Sequence, residues 1–534
     1  MVTRRDLITY TSFSMVLSAL GFTPAVFAAQ GLKLGADTPF SFEGLIQQAK
    51  ESAKSPYVAP MQVPDSAVAS INYDVYSKIM YKPEYALFNE GVSRFPVTFF
   101  SVSSLHKLPV KMAVVENQRA REILQNADYF TFPDNSQGAL SALKGNVFSG
   151  FRVLDRQQPL NKPAVKDWVS FLGASYFRAV GELSQFGVSA RGIAINTVFG
   201  DTKEEFPDFT HFWFEIPEKD SDHLVVYALL DGPSICGAYR FDMQRTSGVV
   251  MDVDCVLFLR RDVGRLGIAP QTSMFWFSEM AKGSASDWRP EVHDSDGLAL
   301  WTGSDEHIWR PLNNPLQIRV SAFSDNNPRG FGLMQKQRDP ESYLGSAGYE
   351  RRPDLWVEPK GDWGKGSVQL IEIPTDDEIF DNIVAMWVPE QEAKAGSEYK
   401  FSYRTHWLAD EPYPSKLARC GITRLGRGGN PGAYTDPAAR KFMVEFHGDV
   451  LEQLPADAHI DAVVSASRGT LKDIKVNKIP SDKGHWRTFF DLHVDGKEPV
   501  ELRLYLKSGE KTLSETWMYQ YLPFTSSPKP MQGV

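Results

Sequence analysis

The chain has 534 residues, of which 42% are hydrophobic and 23% charged; these shares sit near the averages of folded globular proteins and exclude wholesale disorder or a membrane bundle. A formal net charge of -9, with no basic run, excludes a nucleic-acid partner, because phosphate binding needs a surplus of Lys and Arg on some face. The length exceeds the roughly 250–300 residues that one hydrophobic core serves, so at least two domains are expected.

The N-terminus opens with Thr3-Arg4-Arg5-Asp6-Leu7-Ile8, a pair of arginines ahead of an apolar stretch from about Ser12 to Val26. That is the outline of a twin-arginine export signal. The stretch is shorter than the ~20 residues a membrane span needs and ends in small residues up to Ala28 and Ala29. Residues 1–29 are therefore expected to be a cleaved signal peptide, with the periplasm of a Gram-negative cell as destination.

Phe40 to Ser55 places Phe42, Leu45, Ile46 and Ala49 at helical spacing, which predicts one helix packed outside the sheets. From Val97 to about Trp407 the chain repeats short runs of Val, Ile, Phe, Tyr and Trp separated by Gly, Pro and Asn turns, the punctuation of a β-sandwich. His223 to Leu230, Ala238 to Met243 and Gly248 to Leu259 read as three strands of an antiparallel meander. The pattern breaks at Glu411-Pro412-Tyr413-Pro414 and again across the glycines from Gly426 to Gly432. Residues 33–412 are thus expected to form a large N-terminal sandwich, 413–436 a linker, and 437–527 a small immunoglobulin-like sandwich. Three cysteines, Cys236, Cys255 and Cys420, match no zinc-ligand spacing. They read as core thiols, or as one disulfide and a leftover; Cys236 and Cys255 fall on neighbouring predicted strands.

No P-loop, strand-linked GxGxxG, GxSxG elbow or HExxH occurs, and no cofactor or metal is expected. The region from Ser170 to Trp387 is dense in aromatics, carboxylates, arginines and asparagines. A carbohydrate cleft has that composition, since aromatic faces cover the apolar faces of sugar rings while carboxylates, amides and guanidinium groups bond the hydroxyls. Aromatics in a large β-protein are more often core, however, and composition alone leaves both readings open.

Longer peptides carry more information. VSFLGASYFR from Val169 to Arg178, EEFP at Glu204, GIAPQTSMF at Gly267, HDSD at His293, RPLNNP at Arg310 and DNNPRGFGL at Asp325 resemble stretches of the periplasmic glucan biosynthesis proteins. So do LWVEP at Leu355, WGKG at Trp363, DNIV at Asp381 and SETW at Ser514. The resemblance spans nearly the whole chain after the signal. It implies an all-β fold, a galactose-mutarotase-like sandwich followed by an immunoglobulin-like one, and linear β-1,2-glucan as ligand. It also implies, for some members, glycoside hydrolase activity that inverts the anomeric centre. Membrane-bound glucan-synthase components and a homodimer are the partners it allows.

An inverting hydrolase needs one carboxylic acid to protonate the leaving oxygen and one carboxylate to take a proton from water. The resemblance assigns these roles to Asp381 and Asp294, with Tyr349 in a hydroxyl relay to the base. Ile379 and Phe380 precede Asp381, so apolar neighbours are expected to desolvate it and raise its pKa. Asp296 competes with Asp294 for the base role, and turn-building is the ordinary explanation for either. Where hydrolytic members carry a threonine two residues before the acid, this chain has Ile379, a break in the relay that leaves either slow hydrolysis or transfer of glucan to a sugar hydroxyl, the latter keeping Asp381 as acid and demoting Asp294. Arg352 and Arg178 are candidates to bond sugar hydroxyls, Trp356 and Trp363 to stack on rings; each is equally readable as a structural ion pair or core aromatic. The competing class is a glucan-binding scaffold without catalysis.

Overall fold

The structure is a computed structural model that describes residues 31–523 except 90–92, 134–142, 144, 156–166, 219–220, 285–286, 431, 433–435, 456–457, 481 and 483. The twin-arginine segment lies outside the described residues. The chain is nearly all β and divides into two compact units, the first made of Met1–Ala179, Gly192–Leu266 and Glu392–Ser402, the second of Val180–Arg191, Gly267–Gln391 and Tyr403–Val534.

In the first unit one sheet runs in the order Leu34–Pro39, Arg119–Ile123, Lys111–Glu116, Asp208–Glu215, His223–Asp231, Ile235–Arg245 and Val249–Leu259. Its last three strands are the meander legible in the sequence, paired antiparallel from Asp231 opposite Cys236 to Arg245 opposite Val249. The burial of His223–Asp231 alternates residue by residue, one face fully buried between the sheets and the other half covered, with Tyr227 and Leu229 packed beside the helix residues Leu45 and Ala49. A second sheet joins Val97–Ser101, Phe148–Leu154, Asp167–Leu172 and Tyr176–Ala179. Phenylalanines fill the space between them. Phe151 meets Phe214 at 4.8 Å between ring centroids and Phe212 at 5.0 Å, while Phe171 meets Phe241 at 5.1 Å, mostly in the edge-to-face geometry that ring quadrupoles favour.

The expected helix forms as Phe42–Ala53, its N-terminus capped by Ser41, whose hydroxyl accepts from the Gly44 amide at 3.0 Å. Leu45 and Ala49 pack against Ala113, Trp213 and Cys236 on the outer face of the first sheet. All three cysteines are buried free thiols. Cys236 stands opposite Phe258 and Cys255 opposite Tyr239, so the two thiols that share the meander are not cross-strand partners, and no disulfide links them.

The second unit contains a sheet in the order Asp354–Lys360, Gly330–Met334, Gly297–Trp301, His307–Pro311, Thr516–Tyr521, Val500–Ser508 and Asp461–Ala466. Strands from the predicted C-terminal domain therefore continue a sheet begun by residues of the predicted N-terminal one. The junction is parallel, Ile308 lying opposite Thr516 and Trp309 opposite Trp517. A second sheet runs Arg319–Asn326, Lys365–Glu372, Ile383–Pro389, Leu266–Ser273 and Ser189–Arg191. A four-stranded sheet of Arg419–Arg427, Ala439–His447, His485–His493 and Thr470–Lys478 closes over the first, with Phe442 and Phe490 packed on Trp517 at 6.2 and 6.3 Å. Arg419–Arg427 falls inside the segment expected to be a linker. Its glycines and arginines mask a strand because its pairing with Ala439–His447, a tertiary contact, decides its conformation.

Candidate functional site

Three segments of the second unit carry the candidate carboxylates. The first is the short strand Val292–His293, paired with Phe275–Phe277, which runs directly into Asp294. The Asp294 amide donates to the Met274 carbonyl at 2.8 Å, so the backbone is held and the side chain is left for other work. His293, between Glu291 at 3.0 Å and Gln335 at 2.9 Å, is wholly buried and braces the strand from behind.

Asp294 and Asp296 differ sharply in surroundings. The Asp296 carboxylate accepts the amides of Lys336 at 3.0 Å and Gln337 at 2.7 Å, so its lone pairs secure a turn. Asp294 is 7% exposed, and its Oδ1 has no hydrogen-bond partner among the described residues. Its neighbour is the Arg352 guanidinium, Nε to Oδ1 3.2 Å, in a charge contact without hydrogen-bond alignment. Burial pushes the Asp294 carboxyl up to about 6; Arg352 opposes the rise, and the charges of Asp381 and Glu378 add to it. Of the two aspartates, Asp296 is tied to backbone amides and Asp294 is the one whose Oδ1 lacks a hydrogen-bond partner among the described residues.

The second segment is the single turn Tyr349–Arg351 that ends in Arg352. Arg352 sits 5.1 Å from the Tyr349 ring centroid and donates from Nη1 to the Phe186 carbonyl at 2.8 Å. Tyr349 is buried. Its hydroxyl donates not to Asp294 but to Glu378 Oε2, at 2.5 Å. Burial first, then the Glu378 hydrogen bond and charge, raises the Tyr349 pKa, so the phenol keeps its proton.

The third segment is the loop from Ile373 to Asn382, clamped at both ends by amides. Asn382 accepts the Phe275 amide at 2.8 Å and donates to the carbonyls of Phe275 and Ile373 at 2.9 and 2.8 Å. Asn314 accepts the Thr375 amide at 3.0 Å and donates back to its carbonyl at 2.7 Å. These two asparagines, inside the DNIV and RPLNNP peptides, hold the loop against the strands while its crown stays in water. Asp381 is exposed. Ile379 and Phe380, at 72% and 59% exposure, turn outward as well, so the expectation that they desolvate Asp381 is corrected: a loop crown, unlike a strand, buries neither neighbour.

Glu378, on the same loop, joins these groups through Tyr349 and Arg289, and the sequence reading does not single it out. It meets Arg289 at 2.7 Å, and Arg289 in turn grips Asp287 through Nε and Nη2, both at 2.9 Å. Burial works against ionisation of Glu378, but the Arg289 and Tyr349 hydrogen bonds prevail and hold its carboxyl below the usual range. The run Asp376-Asp377-Glu378 hid it, because a string of acids reads as a solvated turn.

The remaining nominees fall elsewhere. Trp356 is 2% exposed in the core that includes Trp309, Phe442 and Trp517. Trp363 is 5% exposed and packs on Tyr403 and Trp387 at 6.0 and 6.2 Å. Neither offers a ring face to a ligand, which corrects the reading of both as stacking platforms. Arg178 is an exposed residue of the strand Tyr176–Ala179 in the first unit. Among the described residues, no group of three His, Cys, Asp or Glu is arranged to hold a metal ion.

The second unit of this β protein thus carries a buried aspartate of raised pKa beside an arginine, an exposed aspartate on a neighbouring loop, and a tyrosine–glutamate pair. Residues 40–521 match the model of the periplasmic glucan biosynthesis protein family MdoG, and the chain belongs to that family. It is 54% identical to Glucans biosynthesis protein D 2 of Ralstonia nicotianae over 99% of this chain and all of that one. It is 43% identical to Glucans biosynthesis protein D of Stenotrophomonas maltophilia over 97% of this chain and 98% of that one, and 42% identical to the protein of that name from Xanthomonas campestris over 96% and 97%. Among the described residues no helix is long and apolar enough to cross a membrane.

Proposed function

We propose that the chain is an exported, periplasmic β-1,2-glucan-processing enzyme of osmoregulated glucan biosynthesis that acts with inversion at the anomeric carbon. Asp381 donates a proton to the leaving glycosidic oxygen as its bond to the anomeric carbon breaks. Asp294 receives the proton of the attacking oxygen as the new bond forms on the opposite face.

The observation that carries this reading is the environment of Asp294. A carboxylate with a pKa of about 6 is ionised at neutral pH yet has far more proton affinity than an exposed one, which suits a general base. Its pKa is also linked to the charge of Asp381, so the two act on one another. Asp381 is wet in the free protein; a glucan chain laid over Ile379 and Phe380 removes that water, which raises its pKa and keeps the proton on the acid until the leaving oxygen takes it. Tyr349, whose own proton is committed to Glu378, presents its oxygen as an acceptor and orients an incoming hydroxyl. Arg352 holds Asp294 ionised and bonds sugar hydroxyls as they arrive.

Ile379 supports transfer over hydrolysis. At 72% exposure it offers an attacking water no hydrogen bond, while it covers apolar C–H surface of an incoming sugar. Either acceptor loses one proton to the base, so the electron count is the same for both.

Incubation of the mature protein with linear β-1,2-glucan, followed by chromatography and NMR of the anomeric protons, is expected to yield shortened, extended or cyclised chains. Asp381→Asn is expected to lower the rate by a factor on the order of 10³ or more while leaving binding in place. Unchanged glucan with retained binding in the unaltered protein would instead make it a scaffold that presents chains to a membrane synthase. Activity that survives in Asp381→Asn removes that residue as the acid.

A further inference from the structure

Two tryptophans that the sequence reading names as candidates for sugar stacking are buried, and a third that it passes over is not. Trp288 is 66% exposed. It stands between Asp287 and Arg289 in the chain, and those two neighbours are locked to each other: Arg289 meets Asp287 through two hydrogen bonds of 2.9 Å and also takes Asp287 Oδ1 on its backbone amide at 2.8 Å. The Arg289 guanidinium carbon lies 5.4 Å from the Trp288 ring centroid, close enough for the attraction between a cation and a ring face. The indole is thus an exposed ring on a pinned segment.

Its position is tied to the carboxylate site. Arg289 Nη1 donates to Glu378 at 2.7 Å and to Ser346 Oγ at 3.2 Å, and the same Glu378 oxygen accepts the Tyr349 hydroxyl. A chain of direct contacts therefore runs from the indole through Arg289 and Glu378 to Tyr349. Exposed apolar side chains lie on the segments that feed this chain: Leu344 at 47%, Ile379 at 72% and Phe380 at 59%.

Large exposed aromatic and aliphatic groups beside a polar cluster mark a binding surface. A pyranose ring fits one of this make-up, because its C–H face covers an indole while its equatorial hydroxyls point sideways to carboxylate and guanidinium groups. We infer that Trp288 is a stacking platform for a glucosyl ring of the bound chain, held at a fixed distance from the reacting groups by the Asp287–Arg289–Glu378 contacts. This inference rests on the glucan reading above and adds to it a specificity-determining residue.

Asp381→Asn protein, slowed in catalysis, is titrated with linear β-1,2-glucan while tryptophan fluorescence is recorded. Glucan is expected to change the emission, and adding Trp288→Phe is expected to remove most of that change while binding persists, since phenylalanine still offers a ring. Adding Trp288→Ala is expected to raise Kd roughly tenfold. Binding by the Trp288→Ala protein as tight as that of its parent overturns the platform and leaves the enzyme reading standing. Failure of the Asp381→Asn parent to bind glucan at all overturns both. A Trp288→Ala protein whose sedimentation shifts while its Kd does not makes the indole a subunit contact and overturns the platform.

Discussion

The two units bury different chemistry. In the first, the space between sheets is filled by phenylalanines, with Phe151, Phe171, Phe177, Phe212 and Phe241 all at 3% exposure or less. In the second, ionisable groups are buried as well: Arg310 against Glu372, His293 against Glu291, and Asp294 beside the partly exposed Arg352. An apolar ring is stable wherever water is excluded, whereas a buried charge costs several kcal/mol unless partners surround it, and replacing such pairs by apolar side chains is often neutral or stabilising. The first unit also buries such a pair, Asp155 at 3% exposure against Arg94, but there the carboxylate is met by two aligned guanidinium hydrogen bonds. Asp294, whose contact with Arg352 lacks hydrogen-bond alignment, is the least compensated of those named and the one assigned to proton transfer.

The largest effect expected from disturbing this contrast is at Asp294 itself. Asp294→Asn removes a group that must be ionised to accept a proton, and activity is expected to fall by roughly 10²–10⁴. In the unaltered protein kcat/KM should rise with pH through an acidic limb centred near 6, the value to which burial lifts this carboxyl, because the protonated form is inactive below it. The sign for stability is opposite. A carboxyl raised in the folded state binds its proton more tightly there, so its contribution is present below the ordinary value of 3.8 and is lost as pH climbs through about 6. Asp294→Asn is therefore expected to be less active and, at pH 7, no less stable; a variant that loses its fold at pH 7 but keeps kcat/KM per folded molecule would reverse the contrast.

How far the sequence discloses this contrast differs between the units. The apolar runs of the meander, set off by turn residues, and the helical spacing of Phe42, Leu45 and Ala49 make the scaffold of the first unit legible, since each signal is local in the chain. In the second unit the deciding facts are long-range. Asp294 and Asp296 have the same residue type in the same peptide, and what separates them is that the backbone of Lys336 and Gln337 reaches one and not the other. Trp356 and Trp363 look no different from Trp288 in composition; only the packed sheets distinguish core from surface. The peptides resembling the family contain or lie near Asp294, Tyr349, Arg352 and Asp381, while Glu378 is hidden in its acidic run. Arg419–Arg427 reads as linker because glycine and arginine conceal a strand whose partner, Ala439–His447, supplies the reason for it.

A smaller effect tests the other side of the comparison. Phe171 is 1% exposed and stacks on Phe151 and Phe177 at 4.8 and 5.0 Å. Phe171→Ala leaves a cavity among rings that cannot easily collapse, and a loss of about 3–5 kcal/mol in unfolding free energy is expected by denaturant titration. Activity per folded molecule should stay within a factor of about 2, well inside the change expected of a group that transfers a proton. A large fall in kcat without loss of stability would show that the phenylalanine core shapes the reaction as well as the scaffold.

The smallest effect is expected at Glu378, which stands between the two kinds of role because it touches both an ion pair and a phenol. Glu378→Gln keeps an oxygen that can accept the Tyr349 proton but loses the charge that Arg289 faces at 2.7 Å. If the carboxylate acts by holding Tyr349 in one orientation, kcat should fall roughly tenfold with KM nearly unchanged. Tyr349→Phe should lower kcat by a similar factor. The decisive measurement is the double variant: with no hydroxyl left to orient, Glu378→Gln should add little to Tyr349→Phe, giving a coupling energy of about 1 kcal/mol between the two sites. Full additivity would mean that Glu378 serves Arg289 alone, and the contact of 2.5 Å with Tyr349 would then be a consequence of packing with no part in the reaction.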